Sequence, residues 1–350
     1  MNDSIVLLGS AITATAIATI SLPAIIRTAH SRDLVDRPGG RKKHTQATPV
    51  LGGLAVFIAV FISLFFWMEK EAIEVLRFPL IGAMVLAGIG LRDDLVTLSA
   101  RYKLLIQIGL GSLVAMGPLG LRQVHGIPFL ETIPPGLDIV FTIGVVVLFT
   151  NAFNLIDGIN GLAGGIGMIA SATMAFACFQ AGDMSFALLG FTISGALLGY
   201  LPFNFPHAKT FMGDNGSLLV GFLLSMMTLR LLGNPNIGME GTSVIAIAAM
   251  FIPILDTCQV MLKRLKAGQS IFTPDRRHLH HQFLRITGSP GLSALMLCII
   301  QLWVSLMSFY LAPIGVVVII PLVFMLGLLL LGGLKLTKYI QETSDLRTYP

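Results

Sequence analysis

An all-α polytopic membrane protein is the fold class this sequence predicts, on three observations. Of its 350 residues 55% are hydrophobic and 12% are charged, where a soluble domain carries about 25% charged. Apolar stretches long enough to cross a bilayer recur from end to end and leave no room for a separate soluble domain. Lys and Arg also gather on one set of connections: with Arg27 at the edge of the first included, 19 of the 23 lie there.

The expected spans run roughly over 4–27, 50–68, 78–91, 104–121, 137–155, 161–179, 185–201, 217–233, 243–262, 291–311 and 314–334, about eleven helices. The first has Asp3 before it and Arg27 behind it, the reverse of a cleavable signal peptide. The third is fourteen apolar residues between Arg77 and Arg92, about 21 Å of helix against a core of about 30 Å. That mismatch predicts that Arg92, Asp93 and Asp94 are drawn to headgroup depth. The ninth carries Asp256 after Pro253, a carboxylate in an apolar helix that needs a partner. Cys178, Cys258 and Cys298 have neither disulfide nor zinc spacing and read as buried thiols.

The basic connections are 28–49, 92–103, 156–160, 202–216, 263–290 and the tail 335–350. The positive-inside rule puts them in the cytoplasm, with the N-terminus outside and the C-terminus inside. Asp33, Asp36, Asp93, Asp94, Asp157, Asp214, Asp256 and Asp275 fall on this same side, with six of the seven histidines. The expected organisation is one transmembrane domain over 1–350, with cytoplasmic active-site loops at 28–49, 92–103, 156–160, 202–216 and 263–290.

Five segments there carry chemistry. Arg92-Asp93-Asp94 offers adjacent carboxylates, suited to a divalent metal or to metal and proton duties split between them; a solvated loop end is the plainer reading. Asn151, Asn154 and Asp157 are spaced three apart and face one way on a helix. Gly158, Gly161, Gly164 and Gly165 follow and permit close approach, with amide and small-residue packing as the alternative. Asn204 through Phe211-Met212-Gly213-Asp214 leads into a new helix; Asp214 is a metal candidate or a helix cap, and Phe211 a surface for a base. Thr273-Pro274 starts a helix in which Leu279, Phe283 and Ile286 share one face and His278, His281 and Arg285 another. Zinc on its histidines lacks a further ligand. Last, Arg41, Lys42 and His44, between Pro38-Gly39-Gly40 and Gly52-Gly53, form a cationic, turn-rich loop that fits a phosphate.

Taken together, these segments resemble the polyprenyl-phosphate N-acetylhexosamine-1-phosphate transferases, from about Asp33 to Gly288. The run His278-Leu279-His280-His281 is similar to the His-x-His-His signature of the N-acetylhexosamine (WecA-like) branch, not the phospho-MurNAc-pentapeptide branch. The resemblance implies an enzyme of the bacterial cytoplasmic membrane, active on the cytoplasmic face. It would join a UDP-N-acetylhexosamine, by default UDP-GlcNAc, to undecaprenyl phosphate and release UMP, at the first membrane step of O-antigen, teichoic acid or related cell-envelope polymers. It implies magnesium, with manganese as a substitute, surrounding membrane lipids, no nucleic acid, and room for a homodimer.

By the same resemblance Asp93, Asp94, Asp157, His278, His280 and His281 are catalytic candidates. Asp214, Asp94 and Asp157 are metal candidates. Arg41, Lys42, His44, Asn154, Asn160, Asn204, Phe211, Arg276 and Arg277 are substrate-binding candidates. Asn160 departs from the family, where many members carry Asp. UDP-GalNAc, N-acetylfucosamine and N-acetylquinovosamine donors stay open, as do direct attack and an aspartyl intermediate. A transporter would place its acids near midplane in repeated halves; a scaffold would leave Asp93, Asp94, Asp157 and Asp214 without purpose.

Overall fold

The computed structural model describes residues 2–37, 47–124, 130–233, 241–270 and 278–314, with a few positions between 325 and 333. Its elements in chain order are α1 (Asp3–Ser31), β1 (Val35–Asp36), β2 (Thr48–Pro49), α2 (Gly52–Trp67), α3 (Lys70–Leu95), α4 (Ala100–Met116), α5 (Leu137–Leu155), α6 (Leu162–Gln180), α7 (Met184–Asn204), α8 (Gly213–Gly233), α9 (Thr242–Ala249), α10 (Phe251–Lys266), α11 (Leu279–Thr287) and α12 (Pro290–Leu311). The two short strands pair antiparallel, Val35 with Pro49.

Side chains start several helices as the sequence allows. Asn2 caps α1, Ser99 caps α4, Asp183 caps α7 and Ser289 caps α12, each accepting a backbone N–H of the first turn. The exteriors stay apolar: Phe65 and Phe66 of α2 are 78% and 70% exposed. Such surfaces suit lipid, and polar groups turn inward instead. Ser63 donates to the Ser10 carbonyl, and Trp67 Nε1 to Thr13 Oγ1 at 3.0 Å.

Helix α8 is the axis of the bundle, buried along 89% of its most apolar stretch. It packs against α3 and α5, while α7 joins α1 to α6. Asp214 lies near one end of α8 and Arg230 near the other, about 24 Å apart at 1.5 Å per residue. Arg230 pairs with Asp183 at 2.5 Å and lies over the Phe186 ring. This ties α8 to α7 at the end away from Asp214.

Among the described residues seven helices are long and apolar enough to cross a membrane, eight with α9 and α10 counted as one. The expected eleven are not reached on that criterion. Helices α2 and α4 have 16 and 17 residues, and most of 314–334 lies outside the described residues. The fourteen-residue span expected at 78–91 is instead a 26-residue helix that starts at Lys70. Packing of α3 on α8 brings Asp93 and Asp94 to the first turn of α8.

The single span expected at 243–262 is two helices bent by 65°. Pro253 has no N–H to give the Ala249 carbonyl four residues back, so the ladder breaks there. Gln301 of α12 repairs it: Oε1 accepts from Ile252 N at 3.0 Å and Nε2 donates to the Ala248 carbonyl at 2.9 Å. The helix anticipated from Thr273 is described from Leu279, and Thr273 itself lies outside the described residues. Its apolar face is as expected, with Leu279 and Phe283 buried.

Candidate active site

The site forms where α3, α4, α5 and α8 meet. Gly90 lets α3 touch α8, because a side chain there would run into the backbone of Asp214 and Asn215. One turn on, Asp94 reaches the first turn of α8. Its two oxygens accept from Asp214 N at 2.8 Å and Asn215 N at 3.0 Å. A carboxylate from another helix thus satisfies the orphan N–H groups and faces the positive end of the dipole. The sequence suggested a cap at Asp214 itself; the capping carboxylate is Asp94.

Freed from capping, Asp214 turns to charge. Its Oδ2 takes Lys103 Nζ at 2.5 Å and its Oδ1 takes Asn154 Nδ2 at 3.1 Å. Lys103 also reaches Asp93 Oδ2 at 2.9 Å, and Asp93 Oδ1 accepts from Leu98 N at 2.5 Å. The short α3–α4 loop therefore folds Lys103 back over Asp93. Sequence reasoning missed Lys103, counting it only as a topology charge. The available signal was a lysine in the first turn of an apolar helix, ten residues after an Asp-Asp pair.

The expected alignment of Asn151, Asn154 and Asp157 splits three ways. Asn151 pairs with Gln107 of α4. Asn154 holds Asp214 and Ser217. Asp157 lies past the end of α5, and its carboxylate has no hydrogen-bond partner among the described residues. Burial, and then the charge of Asp214, push it up to about 7.

Gly158 brings in the histidines. A side chain on it would collide with the His280 ring, Nε2 first. His280 is 3% exposed and stacks on His278, with centroids 5.5 Å apart and planes 9° apart; His281 lies 4.3 Å from His280. Two segments distant in sequence thus meet one residue from Asp157.

The remaining candidates lie in an adjoining pair of loops. Asn204 accepts from Gly161 N at 2.6 Å and donates to the Thr210 carbonyl at 2.9 Å. Asn160 donates to the Pro206 carbonyl at 3.3 Å. Phe211 N donates to the Pro49 carbonyl, and Gly52 and Gly53 donate to the carbonyls of Phe211 and Met212. That use corrects the reading of Gly52-Gly53 as part of a phosphate-holding loop, because both N–H groups are spent on protein. Arg41, Lys42, His44, Arg276 and Arg277 lie outside the described residues.

The structure thus gathers Asp93, Asp94, Lys103, Asn154 and Asp214 in direct contact, with Asp157 and the histidines beside them. Oxygen-rich donors of this kind suit a hard divalent cation. Among the described residues, however, no three acidic, histidine or cysteine side chains already stand close enough to hold one, and the Lys103 ammonium stands between two of the carboxylates.

Comparison with known proteins bears on the family. The family description "Glycosyl transferase family 4" matches residues 76–232, the stretch holding Asp93, Lys103, Asp157 and Asp214. A decaprenyl-phosphate N-acetylglucosaminephosphotransferase of Mycobacterium leprae is 34% identical over 316 residues, covering 80% of this chain and 77% of its own. An undecaprenyl-phosphate alpha-N-acetylglucosaminyl 1-phosphate transferase of Yersinia pestis is 33% identical over 312 residues, covering 86% and 82%. The relative from Mycolicibacterium smegmatis, again a decaprenyl-phosphate N-acetylglucosaminephosphotransferase, is 34% identical over 303 residues, covering 78% and 73%. With a third of its residues shared along most of both partners, and the acidic site inside the matched stretch, the chain belongs to glycosyl transferase family 4.

Proposed function

We propose that this protein transfers N-acetylglucosamine 1-phosphate from UDP-N-acetylglucosamine to a polyprenyl phosphate, undecaprenyl phosphate in the first instance, and releases UMP. The observation that carries the reading is the Asp93–Lys103–Asp214 bridge with Asp157 and His280 beside it, in a chain whose relatives are named for this transfer. One domain over 1–350, with N-terminus outside and C-terminus inside, would present this cluster to the cytoplasm of a bacterium. The charge bias of the connections supports that orientation.

In the reaction an oxygen of the lipid phosphate attacks the sugar-bearing phosphorus. A new P–O bond forms, the bond to the bridging oxygen breaks, and its electron pair leaves on UMP. A phosphate monoester has a second pKa near ~6, so the nucleophile is largely ionised at neutral pH and orientation outweighs proton removal. Two anions must approach one acidic site, and fixed cations are what make that approach favourable. Lys103 is such a cation. Asp93 and Asp214 hold its ammonium in place, and it can pass from them to phosphate oxygens. His280, against the loop after Asp157 and stacked on His278, adds a donor on the other side.

Magnesium fits the donor set through Asp214, Asp157 and the carbonyl oxygen of Asn154. The unpartnered Asp157 carboxylate, with Asp214 as its like-charged neighbour, supports that assignment. When bound, the ion supplies charge neutralisation on the pyrophosphate. Asp94 is better suited to holding α8, because backbone N–H groups already engage both of its oxygens.

The test is direct. Purified protein with UDP-GlcNAc, undecaprenyl phosphate and magnesium should release UMP, and omitting the lipid should abolish release. Folded protein that yields no UMP with any UDP-N-acetylhexosamine would overturn the proposal.

A further inference from the structure

Asp256 lies inside α10 and is 1% exposed. A buried carboxylate is costly unless hydrogen-bonded, and its partners reveal what it serves. His278 Nδ1 lies 2.8 Å from Oδ2, and Leu279 N donates to Oδ1 at 2.6 Å. Within its own helix Gln259 donates to Oδ1 at 3.4 Å, and Lys263 donates to Gln259 Oε1 at 3.0 Å. The short contacts thus reach 22 and 23 residues along the chain to the start of α11.

The two short bonds do different work. The Leu279 bond fixes the backbone where α11 begins. The His278 bond fixes a ring and its proton. Nδ1 faces a carboxylate, so it carries the hydrogen, and Nε2 is left as the nitrogen that can meet a ligand. That ring stacks on His280, which abuts Gly158 next to Asp157.

We propose that Asp256 is a positioning residue of the transfer site. It holds His278 with hydrogen on Nδ1 and the Nε2 lone pair free to accept a proton, acting through the histidine and touching no substrate. The catalytic part rests on the transferase reading above; the Asp256–His278 coupling does not.

Asp256→Asn is the discriminating variant. The new amide oxygen still accepts from Leu279 N, so α11 keeps its anchor, while an NH2 group now faces Nδ1 and moves the hydrogen to Nε2. Nitrogen NMR of ¹⁵N-histidine protein at alkaline pH, assigned with His278→Gln, reads the tautomer without reference to activity. The wild type should show His278 hydrogenated on Nδ1, and Asp256→Asn should show it on Nε2. In UMP release, kcat should fall roughly 10- to 100-fold, the range seen when a ligand's orienting partner is lost, with KM for the UDP-sugar within about threefold. Added to His278→Gln, the same change should cost less than about twofold more, because residues acting through one another are not additive. An unchanged tautomer, or losses that multiply, would overturn the proposal. A wild type inert toward every UDP-N-acetylhexosamine would remove the transferase reading, and the tautomer shift would still decide the coupling.

Discussion

Replacing Lys103 by Met keeps the length of the side chain and removes the ammonium that bridges Asp93 and Asp214. At 2.9 Å, and with an effective dielectric of about 20, one such attraction is about 6 kcal/mol before desolvation. The three side chains are 12%, 21% and 25% exposed, so much of that is offset by lost hydration. Breaking a partly buried pair and leaving its acids facing each other costs about 3 kcal/mol. The apparent melting temperature in detergent should fall by roughly 3–8 °C, and UMP release by about a hundredfold or more. Lys103→Arg, which keeps the charge, should recover most of the stability and little of the rate, because a planar fork does not replace a point ammonium. Circular-dichroism melting and UMP release measure the two effects separately. A Lys103→Met protein with wild-type melting temperature and turnover would refute both the bridge and its role.

Gly158→Ala should press on the buried His280 ring and cost about 1–3 kcal/mol; full turnover at unchanged stability would mean that the loop and the histidines do not need their contact. Asp157 is held up to about 7 in the folded protein, against an ordinary value of 3.8. The folded state therefore binds the proton more tightly, and metal-free stability should fall as pH rises from about 4 to 7 and level off above. Asp157→Asn should flatten that slope while losing activity, which melting temperatures across pH would reveal. Gln301→Leu leaves Ile252 N and the Ala248 carbonyl unsatisfied at the helix break, costing about 2–4 kcal/mol in thermal unfolding; an unshifted melt would mean that the break is satisfied in another way.

Asp256 shows how far the sequence could be read. Its place in an apolar helix marked it as a residue needing a partner, because hydrocarbon penalises an unpaired carboxylate wherever it lies. Nothing in spacing could name His278 as that partner, across 22 residues. Lys103 is the opposite case. Its charge fitted the topology rule so well that the signal of a second duty was masked, and only the folded loop sets it on Asp93 and Asp214.

Composition and apolar period alone determined that the chain is a helical membrane protein, because burying a backbone in lipid leaves helices as the solution for such runs. They also pointed to Asp93, Asp94, Asp157, Asp214 and the histidines of 278–281 as neighbours at one end of the spans, because charge is excluded from their middles. The tertiary structure decided the rest. Whether Asp94 faces a ligand or caps α8, whether 243–262 is one helix or two, and which cation neutralises Asp214 all depend on what another helix presents at that depth. The one-sided acidic cluster was legible from a single strand of residues; its division of labour was not, because hydrogen bonds between helices have no period along the chain.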